Sequence, residues 1–275
     1  MKRLIIILLM VLSFNNLKAQ DSTYNSFQLK WGYGHLLRQD ISFSPMIHKK
    51  WSPVNVHAGY ERTGKRMTHL IDAKFSLYKP SVTDPFKFYI DDPNDLETSY
   101  PHSFKQLEVN YSFIFPVYKT DKLNLLVGGR QRNRLVASDY LYAISSSFSY
   151  YFSFGLDVSL HINYDLNGKN RLGTSLNATL FAFNSRSPYL GFDDQYLEDN
   201  YSHSGFKAFL NYVGRARFQS YGKAQDFDLT AYYERIISEK WSLTGTYYLE
   251  LNFNQSPTTY ASIQNVFLIG GKVKF

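Results

Sequence analysis

The sequence has no cysteine and no apolar run long enough to cross a bilayer as a helix, and both absences exclude classes of protein. Without cysteine there is no disulfide framework, thiolate metal site, cysteine nucleophile or cysteine-linked lipid anchor. Of the 275 residues, 44% are hydrophobic and 19% charged, which is too apolar a composition for a disordered chain. A mean hydropathy of −0.32 excludes a bundle of membrane helices.

The most apolar segment lies at the N-terminus. A basic start is followed by apolar residues 4–12 and by a small residue, Ala19. These features predict a cleaved secretory signal peptide over residues 1–19 and a mature domain over 20–275, with a buried N-terminal helix as the alternative. The signal peptide predicts export. Because its removal also takes away basic residues, we expect no nucleic-acid partner. The positive charges lost are Lys2, Arg3 and Lys18, against a net charge of +7 for the whole chain.

Beyond this segment the dominant pattern is strict alternation of apolar with small or polar residues. It runs without error from Phe152 to Tyr164 and again from Trp241 to Phe253. A period of two is typical of a β-strand with two different faces. Thirteen residues at ~3.4 Å each span about 44 Å, which is far longer than an average strand. Short turns rich in Gly, Asn and Asp join these segments, so we predict an antiparallel sheet of long hairpins.

The chemistry of the two faces distinguishes a soluble sandwich from a membrane protein. One face carries Phe, Leu and Tyr, and the other carries charged residues, Asn, Ser and Gly. We therefore predict an all-β fold, a closed antiparallel transmembrane β-barrel with a polar interior and a lipid-facing exterior. The 23 tyrosines, 22 phenylalanines and 3 tryptophans would then supply the aromatic girdles at the membrane interfaces. His69 is the exception on the apolar face, and we expect it at an interface.

The end of the chain carries a separate signal. Phe275 is the last residue, the apolar Val273 precedes it by two positions, and Gly270 precedes it by five. This pattern resembles the C-terminal signal by which the insertion machinery of bacterial outer membranes recognises its barrel substrates, although Leu268 stands where that signal usually has a polar residue. The chain as a whole is similar to small bacterial outer-membrane β-barrels. The resemblance implies an integral outer-membrane location in a Gram-negative bacterium, with membrane lipid, lipopolysaccharide and the insertion machinery as partners.

The number of strands is less certain than their presence. Because bacterial single-chain barrels have even strand numbers, we predict about 12 strands, within a range of about 10–14. We count eleven strands, and a twelfth that this count misses would lie at 41–48 or within 139–166. Two long acidic connections, over 80–102 and 187–203, are typical of solvated loops, and a divalent cation bound between them is the alternative. The eleven strands counted start near residues 26, 54, 66, 104, 122, 150, 171, 204, 226, 241 and 261.

Charged side chains of both signs project toward the predicted interior. They either form a network of paired charges that fills a narrow barrel, or a basic constriction that biases a water-filled pore toward anions. The predicted lumen-lining residues are Arg130, Arg132, Arg134, Arg215, Arg217, Glu108, Asp157, His161 and Glu250.

These observations favour a non-enzymatic barrel, either a narrow channel or a structural or interaction barrel. The alternative is an outer-membrane lipid hydrolase of the phospholipase or lipid A deacylase type, in which a histidine activates a serine. None of the seven histidines has a serine two residues later, as those families have. Asp157, Ser159 and His161 share one strand face, but such neighbours lie ~6.8 Å apart, beyond hydrogen-bond reach. No nucleotide-binding or metal-ligating motif is present, so we expect no catalytic residues, cofactor or metal.

Overall fold

A computed structural model describes residues 23–80, 87–89, 94, 96–98, 102–142, 145–187 and 205–275. The predicted signal peptide over 1–19 lies outside these residues, as do the acidic side chains of the two predicted loops. The described elements are, in chain order, β1 (Tyr24–Asp40), β2 (Ser44–Thr63), β3 (Thr68–Tyr78), β4 (Lys87–Tyr89), β5 (Leu96–Thr98), β6 (Ser103–Lys119), β7 (Leu123–Tyr142), β8 (Ser145–Asp165), β9 (Asn170–Arg186), α1 (Gly205–Gly214), β10 (Arg217–Ser220), β11 (Ala224–Ile236), β12 (Trp241–Asn254) and β13 (Tyr260–Lys274).

Ten of these strands close into one antiparallel barrel, which confirms the prediction of an all-β, closed antiparallel barrel. Their order around the wall is β1, β2, β3, β6, β7, β8, β9, β11, β12 and β13, and β13 pairs with β1 to complete the circle. The closing register runs from Ser26 opposite Lys274 to Asp40 opposite Tyr260. Closure leaves the backbone groups of the wall paired on both sides, which is the condition for a sheet surrounded by hydrocarbon. Strands β4 and β5 form a separate hairpin.

The barrel wall has ten strands, two fewer than the 12 expected and at the lower end of the predicted range of 10–14. The difference arises after residue 204, where a strand was predicted: residues Gly205–Gly214 form helix α1, and only the four residues of β10 are extended. Strand β10 pairs with the end of β9 and lies outside the ten-stranded circuit. The other candidate regions hold no additional strand, since 41–43 is the turn into β2 and 139–166 covers the end of β7 and all of β8.

Helix α1 is held by contacts that a residue pattern does not reveal. The ring of Tyr212 stacks on that of Tyr150 in β8, with centroids 4.1 Å apart. Ser185 of β9 donates a hydrogen bond of 2.5 Å to the backbone oxygen of Tyr212. Tertiary packing therefore overrides the partial alternation of this segment. Among the described residues, no helix is both long and apolar enough to cross a membrane.

The two ends of the barrel differ in their connections. The start of β1 and the end of β13 lie at the end that carries the short connections 64–67, 120–122, 166–169 and 237–240, which we call the terminal end. Gly168 has a φ of +70° in one of these turns, a conformation that favours glycine. The long connections 79–102 and 187–223 lie at the opposite end, which we call the loop end.

The wall has its polar face inside and its apolar face outside. Trp31 is 62% exposed on the outer surface, and large apolar side chains are exposed on every strand of the wall except β7, among them Leu29, Phe75, Val109, Phe154 and Leu243. The buried set is instead dominated by Ser, Thr, Asn, Asp, Glu and Arg side chains. A water-soluble core would have the reverse arrangement. The apolar positions of the alternating sequence therefore form the exterior of the barrel, and the polar positions line its lumen.

Candidate functional site

Three arginines of β7 cross the lumen at its centre. Because alternate residues of a strand share a face, Arg130, Arg132 and Arg134 all point inward. Each contacts acidic side chains on other strands, so the ion pairs join one side of the barrel to the other. We call this set the central cluster: Glu108 of β6, Arg130, Arg132 and Arg134 of β7, Asp157 of β8, Asp226 and Asp228 of β11, and Glu250 of β12.

Arg134 makes the most extensive contacts in the central cluster. Its Nη2 lies 2.7 Å from Glu108 Oε2 and 2.7 Å from Glu250 Oε1, and its Nη1 lies 2.7 Å from Asp226 Oδ1. One guanidinium thus binds carboxylates from β6, β11 and β12. The planar, five-donor guanidinium suits such multiple contacts better than a lysine amine does.

Arg130 and Arg132 bind the remaining carboxylates. Nη2 of Arg130 lies 2.6 Å from Asp157 Oδ2 and also pairs with Asp228. Nη2 of Arg132 pairs with Asp226 and donates to Thr179 Oγ1 at 3.0 Å. Every side chain of the central cluster is at most 9% exposed. Charges so deeply buried are stable only when they are paired, and here both signs are supplied.

Small residues make room for the arginines. Gly155 of β8 is the register partner of Arg132. A Cβ at Gly155 would lie 3.1 Å from Nη2 of Arg132, so a larger side chain there would displace the guanidinium. A cavity of only about 10 Å³ remains beside Lys74, Glu108 and Glu250. That is space for no more than one water molecule.

A second group of charges and rings lies in the lumen toward the loop end. Nη2 of Arg186 lies 2.8 Å from Asp40 Oδ1, and Nη1 donates to the backbone oxygen of Thr258 at 2.8 Å. The ring of Tyr260 lies 5.1 Å from the guanidinium carbon of both Arg186 and Arg38, within the range of cation–π contact. These contacts join β1, β9 and the connection between β12 and β13.

Aromatic side chains and histidines pack beside Arg38. The rings of His48 and His102 lie 4.9 Å apart at centroid distance, and both contact the ring of Tyr140. Burial lowers the pKa of His102, which precedes β6, so its neutral form is favoured. Among the residues that the structure describes, no group of three or more His, Asp or Glu side chains is arranged to hold a metal ion.

The terminal half of the lumen contains an open cavity of about 550 Å³. Its walls carry paired charges, including Lys272 Nζ at 2.7 Å from Glu61 Oε2. The hydroxyl of Tyr232 donates to Asn163 Oδ1 at 2.6 Å, and His161 lies nearby on the same wall. The central cluster lies at the inner end of this cavity, since Arg130 is one of its lining residues.

Asp157, Ser159 and His161 each face the lumen, but their contacts are directed elsewhere. Asp157 binds Arg130, and Ser159 donates to Asn177 Oδ1 at 2.6 Å. The hydroxyl of Ser159 therefore donates its hydrogen bond to the amide oxygen of Asn177 rather than to His161. This geometry offers no activation of Ser159 as a nucleophile.

The prediction that Arg215 and Arg217 line the lumen is wrong. Arg215 follows helix α1 and Arg217 begins β10, and both are exposed at the loop end. The alternation that predicts inward arginines applies only to a barrel strand, and this segment is a helix followed by the short strand β10. The prediction also missed Asp226, which contacts Arg132 and Arg134. The signal for it was present, because Asp226 shares the inward face of β11 with Asp228 two residues later.

The C-terminal residues lie on the strand that closes the barrel. Gly270 faces inward, where a Cβ would lie 2.1 Å from the backbone oxygen of Leu29, so the close strand approach requires glycine. Val273 pairs in register with Phe27 of β1. The backbone nitrogen of Phe275 donates to the oxygen of Asn25 at 2.9 Å, and its side chain is 68% exposed.

No protein-family description matches this chain, and neither does any curated protein. Among solved structures, the outer membrane protease OmpT from Escherichia coli is similar, with a TM-score of 0.56, 7% sequence identity, and coverage of 95% of this chain and 100% of OmpT. Neisserial surface protein A has a TM-score of 0.37 at 13% identity, covering 91% of this chain and 97% of that protein. The toluene transporter TbuX of Ralstonia pickettii has a TM-score of 0.33 at 11% identity, covering 92% and 90% respectively. The likeness to OmpT shows that this chain has the fold of a small outer-membrane β-barrel.

Proposed function

We propose that this protein is an integral outer-membrane barrel whose lumen is closed by the central cluster, and that it acts as a structural or binding barrel rather than as an open channel. The observation that carries the proposal is the set of buried ion pairs between β7 and the strands β6, β8, β11 and β12. The anion-biased pore considered from the sequence requires free arginines in water. Here the three arginines of β7 have carboxylate partners instead.

The energetics of the central cluster oppose opening. Moving an arginine aside would leave two or more carboxylates buried without a cation, at a cost of about 3–5 kcal/mol for each broken pair. A ten-stranded barrel is only slightly wider than the eight-stranded size whose interior side chains can fill. A permeating ion would meet that cost at the central cluster, where the cavity beside Glu108 and Glu250 measures only about 10 Å³.

The exterior supports the proposed membrane location. Large apolar side chains are exposed on nine of the ten wall strands, and the fold is similar to that of a solved outer-membrane protein. We expect the mature protein to insert into phospholipid vesicles and to float with them in a density gradient. A protein that stayed monomeric in buffer without detergent would contradict the membrane location.

Conductance in planar bilayers tests the closed lumen. Wild-type protein should give no current steps. The double variant Arg132→Ala, Arg134→Ala should give steps that favour cations, because Arg130 is then the one arginine left in the central cluster against five carboxylates. The matched control is Arg217→Ala, which removes an exposed arginine and should stay silent. Anion-selective steps from the wild-type protein would contradict the closed lumen and would support the anion-biased pore instead.

A lipid hydrolase is the competing function. Incubation of the inserted protein with phospholipid or lipid A should release no fatty acid if the closed barrel is correct. Release that disappears in Ser159→Ala would support the hydrolase, despite the hydrogen bond from Ser159 to Asn177.

The same proposal includes the partners expected for such a barrel. The outer-membrane insertion machinery would recognise the strand that ends in Gly270, Val273 and Phe275, and lipid and lipopolysaccharide would surround the apolar exterior. The exposed ring of Phe275 is accessible for such recognition.

A further inference from the structure

Four polar side chains interrupt the apolar exterior of the barrel. They lie on the adjacent strands β3, β6 and β7, at outward-facing positions. His69 Nδ1 lies 2.8 Å from Tyr111 Oη, and Gln131 Nε2 donates to Asn133 Oδ1 at 2.7 Å. Tyr111 and Gln131 are register partners, so the four residues are contiguous. We call this set the polar patch: His69, Tyr111, Gln131 and Asn133.

The two amides lie at the middle of the apolar band. On β7 the outward positions run from Leu125 to the ion pair at the loop end, where Asp139 lies 3.8 Å from Lys105. Gln131 and Asn133 lie midway along this row. Arg132 lies between them in sequence and points into the central cluster, so the polar patch is on the outside of the wall at the height of that cluster.

The amides have hydrogen-bonding capacity to spare. Asn133 Nδ2 donates to the backbone oxygen of Val109 at 2.9 Å, in addition to the bond that its Oδ1 accepts from Gln131. Within the described contacts, the second hydrogen of each amide and the oxygen of Gln131 have no partner. Hydrocarbon supplies no hydrogen bonds, so these groups favour a surface where another protein can pair with them.

We infer that the polar patch is the contact surface between two copies of this chain. Together the two amides present unpaired N–H donors and the unpaired oxygen of Gln131 side by side, so the patch is complementary to itself under a two-fold axis. The exposed Val109 and Phe154 flank it and would supply apolar packing around the paired amides. Lipid headgroups do not reach the centre of a bilayer, and acyl chains have no polar groups to offer.

The opposite side of the barrel provides an internal comparison. Strand β13 lies five strands away from β7 around the ten-stranded wall. Its outward residue Asn265 is the register partner of His35, and its Oδ1 accepts a hydrogen bond from Tyr247 Oη at 2.7 Å, so this face has a single amide where the polar patch has two adjoining ones. We therefore place the contact on β7 and use β13 as the control surface. The inference rests on the membrane location given in the proposed function.

Cross-linking tests the inference, because the natural chain has no cysteine. Val109→Cys places a thiol beside Asn133, and Ile263→Cys places one on β13; the two native side chains are 40% and 39% exposed. A short bismaleimide added to vesicle-inserted protein should link Val109→Cys into dimers and leave Ile263→Cys monomeric. Equal linking of both variants, or none of Val109→Cys, would overturn the inference.

The mass of the purified protein in detergent gives a second test. Wild-type protein should have twice the mass of one chain in multi-angle light scattering, and the variant Gln131→Leu, Asn133→Leu should have the mass of one. Asn265→Leu should stay dimeric. A monomeric wild type, or a dimeric double variant, would overturn the inference. Folding of each variant is checked by its shift in electrophoretic mobility on heating.

The two proposals can fail separately. If the wild type does not insert into vesicles, the membrane location is wrong and the polar patch has another explanation. If it inserts, floats with the vesicles and is monomeric, the membrane location stands and only the contact between copies is wrong.

Discussion

Arg130 shows at the scale of a single residue how the interior depends on charge pairing. It contacts Asp157 through Nε at 2.8 Å and also pairs with Asp228, which is fully buried. Arg130→Met keeps most of the side-chain length but leaves Asp228 without its cation. We expect the free energy of unfolding to fall by about 3–5 kcal/mol. Urea unfolding from lipid vesicles, followed by tryptophan fluorescence, measures this loss.

The control for this change is Arg217→Met, an arginine exposed at the loop end. It should alter the free energy of unfolding by no more than about 0.5 kcal/mol. If both variants lost the same amount, charge pairing in the lumen would not be what stabilises the barrel.

Gly173 gives a second prediction at the residue scale. It faces inward on β9 beneath the ring of Tyr232, and a Cβ there would lie 2.2 Å from Tyr232 Cζ. Gly173→Ala should therefore destabilise the barrel by about 1–3 kcal/mol, because the ring must move and its hydrogen bond to Asn163 weakens. Gly245→Ala is the control, since a Cβ at Gly245 meets nothing within 4 Å. Comparable losses for the two variants in vesicle unfolding would contradict the steric explanation.

At the scale of the element, β13 closes the barrel and, under the proposed function, also carries the signal for insertion. It pairs with both β1 and β12, and its outward face carries Phe267 and Phe275. We expect Phe275→Ala to reduce the amount of assembled barrel in outer membranes, because the terminal aromatic is what the insertion machinery would read. Quantitative immunoblotting of isolated outer membranes, with heating used to separate folded from unfolded protein, measures the effect.

Phe267→Ala removes the same side chain from the same face and serves as the control. The two rings have similar exposure, 57% and 68%, so both variants lose comparable lipid contact. Both should fold equally well from urea into vesicles without the machinery. An equal loss of assembly in cells would show that lipid contact, rather than the terminal signal, determines the yield.

Helix α1 shows where element prediction from sequence fails. The predicted strand near 204 relied on a partial alternation between Phe206 and Phe218. The segment lies at the loop end, where no neighbouring strand needs its backbone hydrogen bonds, and Tyr212 packs on Tyr150 instead. The ten other predicted strands are all present, because each must pair on both sides within the wall.

At the scale of the whole molecule, most ion pairs among the described residues are buried, and few join two exposed side chains. The central cluster is shielded from solvent, whereas the pair Lys105–Asp139 is largely exposed. Salt screens exposed pairs strongly and buried pairs weakly. Raising NaCl from about 0.1 to 1 M should therefore change the free energy of unfolding by less than about 1 kcal/mol.

The measurement is urea unfolding from zwitterionic vesicles at the two salt concentrations, which avoids effects of lipid charge. A large loss at high salt would mean that water and ions reach the central cluster. That outcome would also weaken the proposal of a closed lumen, and conductance recordings at the same salt concentrations would then be expected to show current.

The sequence by itself determined the alternation, and through it the closed antiparallel barrel with a polar interior. It also placed Arg130, Arg132, Arg134, Asp157, Glu108 and Glu250 on inward faces, because a period of two leaves no choice once one face is apolar. These features are local, since each depends only on the residues of one strand.

Only the tertiary structure decided how many strands close the wall and which charges meet. The pairing of Arg132 with Asp226 joins residues 94 positions apart, and that of Arg186 with Asp40 joins residues 146 apart. Such contacts depend on strand order, register and barrel width together, none of which is set by a single strand. For the same reason, the sequence left both a filled lumen and an open pore possible, and the packing across the barrel supports the filled lumen that we propose.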